Sequence, residues 1–333
     1  MQDKYNRNIN YLRVSLTDKC NLRCVYCMPE KGVTPLCHAQ VLHNEEIVEI
    51  IKMASSLGIE NIRLTGGEPL VRKNVAQLIE KIKSIDGIKS VSMTTNATLL
   101  AGFAKSLKNA GLDRVNISLD TLDACQYRQI TRKGNLSDAL AGIDAALEFG
   151  FDPVKINVVV VKDLHQDLFE FAKMTLSKPL HVRFIEYMPI GDTASQIGCT
   201  WGKDQIIDSS DVIKEISRRA KDELDSEVYD IPENQIVGSG PAVYYKIDGA
   251  LGTIGTISAI SNHFCKTCNR IRLTCDGKLK SCLFSDVEVD IKEPLRAGNK
   301  DLAMQILKDA ILNKPDCHNF KIGTARNMNQ IGG

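Results

Sequence analysis

The sequence is poor in aromatic residues (5%, one tryptophan), has no excess of either charge and contains no long apolar run. Each shortage removes a class of function. Forty-two basic residues against 41 acidic ones leave a formal net charge of +1. That balance argues against a general nucleic-acid or membrane-surface binder, although a local basic pocket can hide inside it. No stretch approaches the roughly 18 apolar residues of a membrane span, and the densest run is residues 158–161. The opening MQDKYNRNIN is polar, with neither the apolar region of a signal peptide nor an amphipathic presequence, so the expected location is cytoplasmic. At 333 residues, 43% hydrophobic and 25% charged, the composition is that of an ordinary soluble globular protein. It has chain enough for one large domain or two smaller ones.

Cysteine is what the chain has in quantity. Eleven is an odd number, too few for a disulfide-dense scaffold, in a chain without an export signal. In a reducing compartment clustered cysteines more often bind metal or do redox chemistry than form disulfides. Six fall in two groups, Cys20, Cys24, Cys27 and Cys265, Cys268, Cys282. Cys37, Cys125, Cys199, Cys275 and Cys317 read as packing residues or incidental thiols.

Around these groups the hydrophobic pattern alternates between two periods. Extended runs at 11–17, 59–65, 88–95, 115–119, 154–161 and 180–187 are interleaved with helical ones at 45–57, 75–85, 103–110, 136–149 and 168–176. Gly58, Gly111 and Gly150 stand where helices should stop. About six β/α units over the first 190 residues indicate a parallel sheet with helical crossovers. Six is short of a closed eightfold barrel, so a partial barrel and an open doubly wound sheet both satisfy the pattern. A crossing segment with a charged helix near 212–222 follows, then short strands at 243–247, 252–258 and 271–275 and a helix at 302–312. The expected division is 1–190 and 191–333.

Cys20-x3-Cys24-x2-Cys27 directly follows the first strand, in SLTDKCNLRCVYCMPE. Three thiolates are one ligand short of a closed tetrahedral zinc site. On a [4Fe–4S] cubane they leave one iron open to a small molecule. A zinc site completed by a distant residue is the alternative. The stretch resembles the radical S-adenosylmethionine (SAM) superfamily, whose motif is CxxxCxxC with an aromatic residue, here Tyr26, before the last cysteine. The resemblance implies a partial (β/α)6 barrel and a cluster whose open iron is chelated by the amino and carboxylate groups of SAM. Reductive cleavage of SAM there gives a hydrogen-abstracting 5′-deoxyadenosyl radical, so no side chain is assigned as catalytic. TGGEP (65–69), ending the second strand, matches the element that contacts the SAM amino group, with Gly67 allowing close approach. Ser118 in NISLD matches a further SAM contact, and Met188 in EYMPIG a residue lining the adenine site.

Cys265-x2-Cys268-x13-Cys282 again supplies three ligands. A zinc ribbon would need a fourth, from Cys275 or His263. Arg270 and Arg272 lie two apart on an extended run, so both guanidinium groups share a face suited to phosphate or carboxylate. The two triplets, FCxxCNRIRLT and the terminal Ile331-Gly332-Gly333 together resemble the MoaA family, the GTP 3′,8-cyclases of molybdenum cofactor biosynthesis. That resemblance runs from YLRVSLTDKC to the final glycines. It implies a second [4Fe–4S] cluster whose open iron faces the guanine of GTP, and a glycine tail entering the active site. It also implies abstraction of the 3′ hydrogen of GTP and closure of C3′ onto C8, giving (8S)-3′,8-cyclo-7,8-dihydroguanosine 5′-triphosphate. The implied partners are GTP, an electron donor, a second copy of the chain in a homodimer, and cyclic pyranopterin monophosphate synthase as recipient of the product. No nucleic acid or membrane is among them.

Strand parity bears on where a triphosphate would bind. Arg13 opposes Leu12, Val14 and Leu16; Arg63 opposes Ile62 and Leu64; Lys155 opposes Val154, Ile156 and Val158. In a parallel barrel the helices cover the apolar outer face, so these cations should converge inside. Buried unpaired cations are costly, and a polyanion is their natural partner; internal salt bridges to Asp120 or Glu186 are the alternative. The family pattern implies GTP contacts at Arg13, Arg63, Thr94, Lys155 and the Arg270, Ile271, Arg272 stretch. Arg183 stays unassigned because its parity differs from that of Met188. Ala97 stands in TTNAT where the family often has glycine. A radical SAM enzyme acting on a peptide and a non-catalytic zinc or iron–sulfur module are the remaining readings.

Overall fold

Alternation along the strands settles which face of the sheet is covered. Leu12, Val14, Ile62, Leu64, Ile156 and Val158 are all fully buried, and helices pack over them. The computed structural model describes residues 1–190, 201–232, 240–318 and 326–332. Cys199 and Gly333 lie outside the described residues. Strands β1 (Tyr11–Ser15), β2 (Asn61–Thr65), β3 (Ser90–Thr95), β4 (Arg114–Ser118), β5 (Val154–Val160) and β6 (Leu180–Glu186) lie side by side in chain order, every pair parallel. Between them run α1 (Asn44–Ser56), α2 (Val75–Lys83), α3 (Leu100–Asn109), α4 (Ala124–Thr131), α5 (Leu136–Glu148) and α6 (Leu168–Ser177). Gly58, Gly111 and Gly150 follow α1, α3 and α5 with positive φ, the left-handed stop that releases a chain from a helix.

The rest of the chain extends this arc at both edges. After α7 (Ser209–Leu224) come β7 (Val228–Ile231), β8 (Val243–Ile247) and β9 (Thr253–Ile257), and β9 pairs in parallel with β6. Then β10 (Arg270–Leu273) pairs in parallel with β1 and is followed by β11 (Lys278–Lys280) and β12 (Val289–Asp290). The described strands form one sheet, in the order β12-β11-β10-β1-β2-β3-β4-β5-β6-β9-β8-β7, whose ends do not meet. The fold is therefore a partial barrel of six β/α units with strands from the second half on either flank. Helices α8 (Lys292–Arg296), α9 (Lys300–Leu312) and α10 (Met328–Ile331) complete it.

Two differences from the sequence reading have physical causes. Helix α4 was not expected, because its eight residues, ACQYRQIT, carry a short apolar face. It is started by Asp123, whose carboxylate accepts from Gln126 N at 2.6 Å. Ala97 has φ +62°, a left-handed conformation that costs a non-glycine residue roughly 1–2 kcal/mol. The turn is held all the same, with Ala97 N donating to Thr95 Oγ1 at 3.1 Å and Leu100 N to Ala97 O at 2.9 Å.

Candidate active site

The first cysteine loop is fastened to the end of β2. Leu16 N donates to Thr65 O at 2.8 Å, Gly67 N to Thr17 O at 2.7 Å and Glu68 N to Lys19 O at 2.9 Å. A Cβ on Gly67 would lie 2.3 Å from the Lys19 carbonyl oxygen. The close approach that this glycine permits is thus to the loop bearing the cysteines, where the sequence suggested approach to a ligand. Glu68 is buried and accepts from Thr95 Oγ1 (2.8 Å), Asn96 N (2.8 Å) and Leu70 N (3.1 Å). Burial outweighs these bonds and pushes its carboxyl up to about 7.

Cys20 accepts from Leu22 N at 3.4 Å and Asn96 Nδ2 at 3.8 Å. Burial pushes the Cys20 thiol up to about 11 and Cys27 up to about 12, with Cys20 and then Asp120 adding to the effect at Cys27. Cys24 is raised by the same causes, burial first, then Cys27 and Asp120. Three adjacent thiols that ionise reluctantly by themselves suit a metal centre that draws off the protons. Tyr26 donates its hydroxyl to Asp120, which also accepts from Val159 N at 2.9 Å.

One cavity runs from this loop across the inner face of the sheet. Register places Arg272, Arg13 and Arg63 side by side on β10, β1 and β2, followed by Ser92 on β3. Three guanidinium groups thus spring from adjacent strands about 4.8 Å apart. Arg13 Nε is buried without a hydrogen-bond partner among the described residues. Burial, then the Arg272, Arg63 and Arg270 charges, hold Arg13 well below its usual range. Asp120 and Glu186 do not supply the countercharge: Glu186 accepts from Ser261 N, Ile260 N and Ser209 Oγ. Among the described residues no carboxylate pairs with Arg13, Arg63, Arg183, Arg270 or Arg272.

Arg183 is the residue that parity missed. It faces Asn157 in the β5–β6 register, donates to Asn116 Oδ1 (2.7 Å) and Asn157 Oδ1 (2.6 Å), and lines the cavity. Its comparison with Met188 failed because β6 ends at Glu186, beyond which alternation no longer applies. Counting from Val182 and Phe184, both buried, would have turned Arg183 inward. Tyr26, Gly67, Ser118, Met188, Arg13, Arg63, Thr94, Arg270 and Arg272 all line the cavity. Lys155 and Ile271 do not. Lys155 lies in register with Asn116, one step along β5 from Asn157, and its ammonium donates to Tyr244 Oη at 3.4 Å. Burial, then Arg183 and Arg63, push that ammonium down to about 7. The Ile271 side chain is fully buried on the helix-covered face, leaving its backbone as the only part able to face a ligand.

The second triplet adjoins the cavity through Phe264, Arg270 and Leu283. The Arg270 guanidinium lies over the Phe264 ring, 5.2 Å from its centroid. Among the described residues, the three ligand atoms that approach within 4.8 Å of one another are those of His263, Cys265 and His318. Neither cysteine triplet closes that tightly, as thiolates about 2.3 Å from one zinc would have to; a wider spread suits a cluster of several irons. Cys275 is no fourth ligand, for its sulfur faces Ser15, Asp18 and Asp276 instead.

The end of the chain returns to this mouth. Arg326 is held by Asp276 (3.0 and 2.8 Å) and Glu288 (2.9 Å). Asn329 donates through its side chain to Asp18 O at 3.0 Å and through its backbone to the Cys27 sulfur. Gly332, at φ +68°, offers its carbonyl to Arg272 Nη1 at 2.5 Å. A Cβ there would meet Thr65 Cγ2 at 2.5 Å.

Comparison with known proteins decides the family. The chain is 47% identical over its whole length to the whole of a protein from Pelotomaculum thermopropionicum named GTP 3′,8-cyclase. Proteins of the same name from Alkaliphilus oremlandii (45%) and Petrotoga mobilis (47%) also match end to end. The chain belongs to the GTP 3′,8-cyclase family. In agreement, residues 14–174 match the Radical SAM superfamily and residues 180–320 the family described as Molybdenum Cofactor Synthesis C. Two solved structures of Streptococcus suis SuiB share the fold at 15% identity. The SuiB complex with S-adenosylmethionine has a TM-score of 0.59 over 87% of this chain and 65% of that one. The complex with the precursor peptide SuiA has a TM-score of 0.60, over 92% and 67%. Relationship this distant speaks for the shared fold alone.

Proposed function

We propose that this chain converts GTP to (8S)-3′,8-cyclo-7,8-dihydroguanosine 5′-triphosphate, a lyase reaction and the first step of molybdenum cofactor biosynthesis. The observation that carries the reading is the row Arg272, Arg13, Arg63, cations without carboxylate partners among the described residues, in a cavity between two three-cysteine loops. A triphosphate is the ligand that such a row favours.

In this reading Cys20, Cys24 and Cys27 hold one [4Fe–4S] cluster, and Cys265, Cys268 and Cys282 a second. SAM would be held by Tyr26, Gly67, Ser118 and Met188, which line the cavity. When bound, SAM and the first cluster supply radical hydrogen abstraction; the chain supplies placement. Arg13, Arg63 and Arg272 hold the phosphates, Thr94 and Arg183 line the neighbouring wall, and Lys155 adds positive potential from below. Arg270 and the Ile271 backbone would hold the nucleoside end of GTP on the side of the second triplet. Two substrates fixed in one cavity turn a bimolecular encounter into a local one. Phe264, Leu283, Met328 and Asn329 close the surroundings, which limits the water that could quench a radical. The division near residue 190, a homodimer, an external electron donor, delivery to cyclic pyranopterin monophosphate synthase and a cytoplasmic location complete the proposal. No described helix is long and apolar enough to cross a membrane.

The test is anaerobic incubation of the iron-loaded protein with reductant, SAM and a nucleotide panel. Formation of 5′-deoxyadenosine with GTP, and not with ATP or CTP, is the expected result; equal formation with all three would overturn the substrate assignment.

A further inference from the structure

Two buried cations stitch residues 314–316 to the second cysteine loop. Arg7 donates to the carbonyls of Cys265 (2.9 Å), Asp316 (2.9 Å), Lys314 (3.3 Å) and Pro315 (2.7 Å). Its charge is met by Asp3 at 2.7 Å. Lys314 is the other cation, 2% exposed. Its ammonium donates to Arg270 O at 2.9 Å and to Ser281 O at 2.7 Å, carbonyls two residues after Cys268 and one before Cys282.

Lys314 has no carboxylate partner among the described residues. Carbonyl oxygens satisfy its hydrogen bonds without balancing its charge, and a buried unbalanced charge costs several kcal/mol. Its ammonium stands instead at the two arms of the second cysteine loop, whose metal-bound thiolates would be the anions that balance it.

We propose that Lys314 is a positioning residue for the second cluster, tying together the Arg270 and Ser281 carbonyls beside Cys268 and Cys282 and offsetting the negative charge gained on reduction. This rests on the reading of the second triplet as a cluster site. Hydrogen bonds and cations at cluster sulfurs raise reduction potentials, so the second cluster should accept an electron more readily than one without this lysine.

The experiment uses the full-length chain with Cys20→Ala, Cys24→Ala and Cys27→Ala, so that only the second cluster is read. Iron and sulfide are assayed, and the midpoint potential is followed by electron paramagnetic resonance during redox titration. Adding Lys314→Met should disfavour reduction about tenfold, about 59 mV for one electron, and speed iron loss to a chelator several-fold. Lys314→Arg, which keeps the charge, should restore most of both, and Lys105→Met on exposed α3 should change neither. If Lys314→Met keeps the cluster with unchanged potential and iron loss, the proposal is overturned. If Lys314→Met fails to hold iron, Lys314→Arg decides: iron retained at near-parental potential supports the proposal, and equal loss overturns it in favour of simple packing. A background that binds no iron at all overturns the cluster reading and this inference with it.

Discussion

Arg13→Met should make the ligand-free protein more stable and its grip on GTP weaker. Arg13 lies between Arg63 and Arg272 on neighbouring strands. Unit charges about 4.8 Å apart, at an effective dielectric constant of 20, repel by about 3.5 kcal/mol. At twice that separation, which long side chains can reach, each neighbour repels by about 1.7 kcal/mol, about 3.5 kcal/mol for the two. Methionine keeps most of the apolar stem, so thermal unfolding without nucleotide should move up by a few degrees. Losing the charge-assisted bonds to phosphate should cost about 1.5–3 kcal/mol, a roughly 10- to 150-fold weaker Kd. Thermal scans with and without GTP, beside isothermal titration under anaerobic conditions, read both effects from one variant. A lower melting temperature without GTP together with unchanged GTP affinity would refute the reasoning, since Arg13 would then be a structural residue.

Gly67→Ala forces a Cβ against the Lys19 backbone at 2.3 Å, so we expect a loss of about 2 kcal/mol or more and of iron from the first triplet alone. Gly102→Ala, where a Cβ meets nothing within 4 Å on α3, should instead add about 0.5–1 kcal/mol; denaturant titration and iron assay compare the two. Glu68, raised to about 7 from 4.5, contributes stability that is full below pH 4.5 and lost as pH rises through 7. The change is on the order of 3 kcal/mol, and Glu68→Gln should flatten it in urea titrations from pH 5 to pH 8. Cys282→Ala should remove about half of the iron and leave SAM binding in place, measured by iron assay and equilibrium dialysis; loss of all iron would contradict two separate clusters.

Much of the inner face was legible because parity is a local property. Arg13, Arg63 and Thr94 could be turned inward by counting from buried neighbours on β1, β2 and β3. Parity broke down where a strand ended, which is why Arg183 was missed, and it says nothing of depth, so it could not show that Lys155 is absent from the cavity lining. Sheet order was illegible for another reason: β10 lies beside β1 through contacts some 260 residues apart, and no local pattern encodes them. The same holds for the tail. Asn329 reaches Cys27 by its backbone, a contact without a side-chain signal, and Arg326 finds Asp276 and Glu288 only once the chain is folded. The glycine pair of TGGEP was visible, but its neighbour was not. What occupies the space beside Gly67 is the Lys19 carbonyl, which only the folded loop reveals.

The central claim is that a radical formed beside the first triplet takes hydrogen from C3′ of a GTP held on the arginine row. GTP carrying deuterium at C3′ tests it in one measurement. Incubated anaerobically with the iron-loaded protein, SAM and reductant, it should yield 5′-deoxyadenosine bearing one deuterium, alongside a cyclised nucleotide triphosphate. Unlabelled 5′-deoxyadenosine formed at the same rate, or label transferred only from another position of GTP, would contradict the account.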